Sequence, residues 1–179
     1  MKTPPQGPQR SLRGRAIKLL ARREHSRAEL AKKLAARPAG RTATTASADT
    51  DTAATPEDID NVLDQLERSG LLSDARAAEA YVRSHAARFG AAKLVHRLKA
   101  RGIDAALIAA SLAQDGLGDE RARATAVWRG KFGQAPRDAR EWARQARFLQ
   151  GRGFSGEIIR KLLKDADDMP DAAGYGEEE

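Results

Sequence analysis

Between Leu71 and Asp104 apolar residues recur at three- and four-residue spacing and are cut twice by glycine, a pattern that short packed α-helices satisfy and strands do not. Leu-Leu-Ser-Asp (71–74) starts a stripe that runs through Ala78, Tyr81, Val82 and Phe89, with His85 on or beside it, and stops at Gly90. A second stripe, Leu94, Val95 and Leu98, stops at Gly102, and Asp104 is placed to cap a third. Aromatic residues are 4% of the chain and hydrophobic residues 41%, so the core must be built from Leu, Ile, Val and Ala on helix faces. Thin helical layers follow rather than one large globule.

The same punctuation extends in both directions. Met1–Arg10, with three prolines, has no periodic pattern and is expected to be disordered. Leu12, Ala16, Leu19 and Leu20 mark a first helix, with Arg15, Lys18 and Arg22 turned away. Ser26 and Glu29 form a capping box for a second helix that carries Leu30 and Leu34 and ends at Pro38. Arg37 to Ala54 contains no apolar residue larger than Thr, so it reads as a flexible insertion. Thr55, Pro56 and Asp58 start the next helix, striped by Ile59, Val62, Leu63 and Leu66 and closed at Gly70, with Leu71 folding back on it. Beyond Asp104, Leu107, Ile108, Ser111 and Leu112 lead to a stop at Gly116. Asp119 opens a seventh helix through Ala124, Val127, Trp128 and Lys131; Trp142, Ala146 and Leu149 stripe an eighth; Ser155 caps a ninth with Ile158, Ile159, Leu162 and Leu163. Nine helices and no credible strand is the expectation, with Trp128 and Trp142 both placed in the core rather than stacked on bases.

Spacing suggests a repeat. Leu30/Leu34, Leu94/Leu98 and Ile159/Leu163 each follow a junction residue, His25, Phe89 or Phe154, by five positions, and the junctions lie 64 and 65 residues apart. Units this small bury too little alone, so they should pack end to end in an elongated array. The expected division is a disordered 1–10, a first repeat 11–72 holding the insertion 37–54, a second repeat 73–117, a third repeat 118–168 and a disordered acidic tail 169–179.

Charge narrows the function. Residues 1–34 hold ten Lys or Arg against two acids, 117–164 hold twelve against five, and 165–179 hold seven acids and no base. A basic body points to a polyanion, or to a protein assembly built on one, with the tail as an internal competitor; a merely solvated basic surface is the equal alternative. The candidate binding residues are Arg83, Arg88, Lys93, Arg97 and Arg101 in the centre and Arg140, Arg144, Arg147 and Arg152 near the C-terminus, guanidinium and ammonium groups suited to phosphate or carboxylate. With no cysteine, no glycine-rich phosphate loop, and His25, His85 and His96 on separate helices, no catalytic, cofactor or metal site is expected. Without a signal peptide or a run of about 18 apolar residues, a cytoplasmic location and no membrane contact are expected.

Leu71-Leu72-Ser73-Asp74, Tyr81-Val82-Arg83-Ser84, Phe89-Gly90, Leu98 to Gly102-Ile103, and Phe148-Leu149 with Arg152-Gly153-Phe154 occur in an order that resembles the RecX family, bacterial regulators of the RecA recombinase. The resemblance runs from about Ser11 to Asp168. It implies an all-α chain of three tandem three-helix, helix-turn-helix-like repeats that binds RecA filaments formed on single-stranded DNA; a monomer is expected. It further implies restraint of ATP hydrolysis, strand exchange and coprotease activity in recombination, DNA repair and the SOS response. Ala77 and Ala78 stand where the family often has a bulky aromatic, His85 where it often has arginine, and the insertion is longer than usual. The competing reading is a helix-turn-helix-like module that binds DNA directly, with no recombinase.

Overall fold

The computed structural model describes residues 11–36, 54–114 and 119–166. The readings of Met1–Arg10, of the insertion up to residue 53, of Gly116 and of the acidic tail lie outside the described residues. Among the described residues the chain is nine α-helices and one 3-10 turn, with no strand: α1 (Leu12–Leu20), α2 (Arg27–Ala35), α3 (Pro56–Arg68), α4 (Asp74–His85), the turn Ala86–Arg88, α5 (Ala91–Lys99), α6 (Ala105–Gln114), α7 (Glu120–Arg129), α8 (Ala139–Gly151) and α9 (Gly156–Asp165). The caps read from the sequence are in place: Ser26 and Glu29, like Thr55 and Asp58, exchange reciprocal side-chain bonds with each other's main chain. Ser11, Ser73, Asp119 and Ser155 accept from the first turns of α1, α4, α7 and α9.

Three cores form, one per group of three helices. Leu30, Leu34, Ile59, Leu63 and Leu66 close the first, Ala78, Val82, Leu94, Leu98 and Ile108 the second, and Ala124, Trp128, Leu149, Ile159 and Leu163 the third. A fully buried Leu contributes about 1.5–3 kcal/mol, so these side chains supply most of the apolar stabilisation within each unit. The units share a register. Ala16, Ala78 and Ala124 are the fifth residues of α1, α4 and α7 and are all fully buried. In α3, α6 and α9 an isoleucine lies four residues after the capping position, Ile59, Ile108 and Ile159, and a leucine eight after, Leu63, Leu112 and Leu163.

This register corrects the spacing argument. The first two junctions, His25 and Phe89, do join the first and second helices of their units, but Phe154 lies in the turn between α8 and α9. Its counterpart is Ile103, between α5 and α6. The mistake has a simple cause: any tight turn followed by a helix with an i, i+4 apolar pair repeats the motif. Trp142 is also corrected: it is 39% exposed, while Gln145 and Leu149 are buried. α8 has 13 residues where α2 and α5 have nine, and it starts a turn early behind an Asp138 cap, so the buried stripe begins one turn later than its N-terminus suggests. At the end of α3 the fold-back residue is Leu72, buried, whereas Leu71 is exposed; both main-chain N–H groups donate to Leu66 O. Arg15 is not turned away but donates to Leu34 O at 3.1 Å and Ala36 O at 3.2 Å. Ala54, read as the last residue of the flexible insertion, packs against the first core.

Successive units are joined by two clasps built from the same parts. At the first, Ser26 Oγ donates to Arg101 O at 2.6 Å and the Arg27 N–H to Asp74 Oδ1 at 2.7 Å. At the second, the Gly90 N–H donates to Arg152 O at 3.0 Å and the Ala91 N–H to Glu120 Oε1 at 3.0 Å. Each time the start of one unit's second helix receives the first residue of the next unit's first helix, an acid, and the carbonyl of an Arg-Gly turn. The turn glycines, Gly102 and Gly153, have φ of +75° and +86°. A Cβ on Gly90 would lie 2.2 Å from Gly153 O, so the second clasp brings main chain against main chain.

Candidate anion-binding surface

Tyr81, His85 and Phe89 recur every four residues along α4 and the turn that extends it, which lays their rings one above another. Tyr81 and His85 stack at 4.0 Å between centroids and His85 and Phe89 at 6.1 Å. An arginine closes each end of this column: Arg101 sits 4.2 Å from the Tyr81 ring and Arg97 4.7 Å from the Phe89 ring. The ring quadrupole attracts the flat guanidinium, by about 0.5–1 kcal/mol at an exposed site, and Arg97 Nη1 also donates to the Tyr81 hydroxyl at 3.4 Å. Arg101 is further engaged by Glu29, at 3.4 Å, across the first clasp. Arg83 and Arg88 are exposed and have no side-chain partner among the described residues. Lys93 is half-buried, its Cβ pressed against Gly153.

The C-terminal set divides the same way. Arg140 and Arg147 are exposed without a partner among the described residues. Arg144 lies 5.7 Å from the Phe132 ring and 3.6 Å from Glu141. Arg152 covers Phe148 at 4.6 Å and donates to Arg88 O at 3.3 Å, so it binds the second joint together. The nine basic residues are therefore not one continuous flank. The charged groups of Arg83, Arg88, Lys93, Arg140 and Arg147 have no partner among the described residues, while Arg97, Arg101, Arg144 and Arg152 are fixed by rings, an acid or the neighbouring unit.

Periodicity and local charge gave no sign of several ionic contacts within the first unit and across the joints. Arg27 reaches Asp64 and Glu67, each at 2.7 Å, Arg76 reaches Glu24 at 3.0 Å, and Arg123 donates to Ala86 O and Phe89 O at 2.9 and 3.1 Å. Asp60, Asp64 and Glu67 do form a visible acidic edge on α3, but nothing local says which cation faces it. Glu29 is enclosed by Arg23, Arg101 and the Ser26 N–H at 3.4–3.5 Å. Its partial burial raises its pKa, but the Arg23 hydrogen bond, the Arg101 and Arg23 charges and the Ser26 N–H outweigh that and hold it below the ordinary carboxylate value. His96 is exposed, and no group of three or more His, Asp or Glu among the described residues is arranged to hold a metal. No described helix is long and apolar enough to cross a membrane.

Repeated three-helix units, joined by two clasps, define an all-α tandem-repeat protein. Comparison with known families agrees in detail: residues 73–112 match the model of the second three-helix domain of RecX and residues 119–163 that of the third. The chain is 45% identical to the regulatory protein RecX of Leptothrix cholodnii over 89% of its own length and 92% of that protein's, and 40% identical to that of Herminiimonas arsenicoxydans over 90% and 96%. The crystal structure of RecX from Lactobacillus salivarius superposes with a TM-score of 0.64 at 19% identity, covering 88% of this chain and 96% of that one, a likeness of fold. The chain belongs to the RecX family, a family of regulatory proteins rather than enzymes.

Proposed function

We propose that this chain is a cytoplasmic, monomeric regulator of the RecA recombinase that binds the filament formed on single-stranded DNA and restrains its ATP hydrolysis, strand exchange and coprotease activity. The observation that carries the reading is the set of free arginines, Arg83 and Arg88 on the middle unit and Arg140 and Arg147 on the last, displayed on a jointed helical array. Cations on successive units suit a repeating anionic surface better than a single small ligand. Family membership supplies the regulatory role. The test is the ATPase of the cognate RecA on single-stranded DNA with the protein added at near-stoichiometric amounts. A marked fall in hydrolysis is expected; an unchanged rate would rule the reading out.

Direct DNA binding without a recombinase is the second reading, favoured by the 39% exposure of Trp142, an aromatic face open to stacking. Tight, salt-sensitive binding to naked DNA would support it. Affinity that arises only with the recombinase present would count against it.

A further inference from the structure

At the first joint, Glu29 lies among three donors, and all of them are far away. Arg23 approaches at 3.4–3.5 Å, Arg101 at 3.4–3.5 Å and the Ser26 N–H at 3.4 Å. Charge-assisted bonds to a carboxylate normally close to about 2.7–2.9 Å. One carboxylate is shared among these three donors at long range, whereas a phosphate would bring more acceptor oxygens to the same cluster. The two arginines come from different units, so no local helix pairing brings them together. Beside them opens a cavity of about 280 Å³, lined among others by Arg23, Glu24, Tyr81, Ser84, His85 and Arg101, with the Glu24 carboxylate neutralised by Arg76 at 3.0 Å. Arg101 is already oriented by the Tyr81 ring, and Arg23, 45% exposed, is steadied beside the cavity by donating Nη1 to Glu24 O at 3.0 Å while its Nη2 faces Glu29.

We propose that Arg23 and Arg101 form a binding site for a nucleic-acid phosphate across the first joint, which Glu29 occupies as a built-in competitor. Binding there exchanges an internal ion pair for an external one. It also ties the affinity for a strand to the geometry of the joint, since Arg101 O and Ser26 Oγ, bonded at 2.6 Å, belong to the same contact. The inference rests on the anion-binding reading above and deepens it. The competitor is ionised at neutral pH, as its surroundings hold its pKa down.

The experiment measures binding of the full chain to a fluorescent oligothymidylate by anisotropy across a salt series. Glu29→Gln, which keeps an acceptor for the Ser26 N–H, is expected to tighten binding by about two- to fivefold, the range set by losing an exposed ion pair. The slope of log K against log salt should match the wild type, because the same phosphate is contacted once Glu29 is displaced. Adding Arg101→Gln should return the affinity to the wild-type value or below and flatten the slope by about 0.7, one phosphate contact on a single strand. As a variant clear of every core, Arg23→Gln alone should weaken binding. An unchanged or weaker Glu29→Gln, an unchanged Arg23→Gln, or displacement of the oligonucleotide by polyglutamate at lower charge concentration than by inorganic polyphosphate would overturn the site. If the wild type restrains the recombinase ATPase while Glu29→Gln leaves oligonucleotide affinity unchanged, this site fails and the regulatory reading stands. If affinity rises as expected and the ATPase is untouched, the reverse holds.

Discussion

His25 shows how much a single buried polar residue constrains. Its Nδ1 is 2.9 Å from Arg23 O, which can only accept, and its Nε2 is 3.0 Å from Lys33 Nζ, which as an ammonium can only donate. The ring must therefore be neutral with its proton on Nδ1. Burial pushes its pKa below the ordinary 6.5, and the Arg23 and Lys33 charges push the same way, against the Arg23 carbonyl and Glu29. The unfolded chain takes up this proton below about pH 6.5 and the folded chain does not, so stability is full above that pH and falls as the pH drops below it. The urea midpoint should decline between pH 7.5 and 5.5, and His25→Asn, which keeps a donor for Arg23 O, should flatten that decline; equal slopes for the two proteins would refute the assignment. Gln145 is a second such residue. It takes the buried place of Leu30 and Leu94 because Trp128, the large core residue of the last unit, needs an acceptor: Trp128 Nε1 donates to Gln145 Oε1 at 2.6 Å, and Gln145 Nε2 donates to Gln134 O at 3.2 Å. No periodicity of apolar residues exposes a glutamine with this role, and the sequence reading put Trp142 in the stripe in its stead.

The helices themselves were legible because caps and stripes are local. Ser26 with Glu29, Thr55 with Asp58, and the leucines of α2, α3 and α5 all act within a few residues of one another. The joints were not, since Arg27 and Asp74 are 47 residues apart, Ser26 and Arg101 are 75 apart, and half of each bond is made by main chain, which has no residue signature. Gly90 is the clearest instance: it reads as a helix stop, yet its place is dictated by Gly153 in another unit. Gly90→Ala should cost about 1–3 kcal/mol in urea unfolding, since a backbone oxygen 2.2 Å from the new methyl has no rotamer through which to yield. Gly151→Ala, whose Cβ would meet nothing within 4 Å, serves as the control and should be neutral or stabilising by up to about 1 kcal/mol. Similar losses at both sites would show that the second joint is loose.

Across the whole molecule, net charge conceals two populations of arginine. Arg101, Arg123 and Arg152 hold units to one another, while Arg83, Arg88, Arg140 and Arg147 face outward. The basic surplus was plain from the sequence, but its division was not, because a helical wheel shows which cations leave the core and not which ones meet a ring or a carbonyl of the next unit. Replacing Arg83 and Arg88, or Arg140 and Arg147, by glutamate should leave unfolding within about 0.5 kcal/mol per site while raising the amount of protein needed for half-maximal restraint of the recombinase ATPase. Arg152→Glu should lower stability as well; a stability loss for the outward pairs would place them in the scaffold. The acid that begins α4 and α7, Asp74 or Glu120, is replaced at the start of α1 by Leu12, which turns into the first core. The middle unit thus has both halves of the joint, an acid and Arg-Gly turn on one side and an open helix start on the other, whereas the first unit begins with no acid to offer. Such a chain can be lengthened by duplicating its middle third, each added copy accepting the one before and receiving the one after, so that its reach is a countable quantity set by unit number with both termini left as they are.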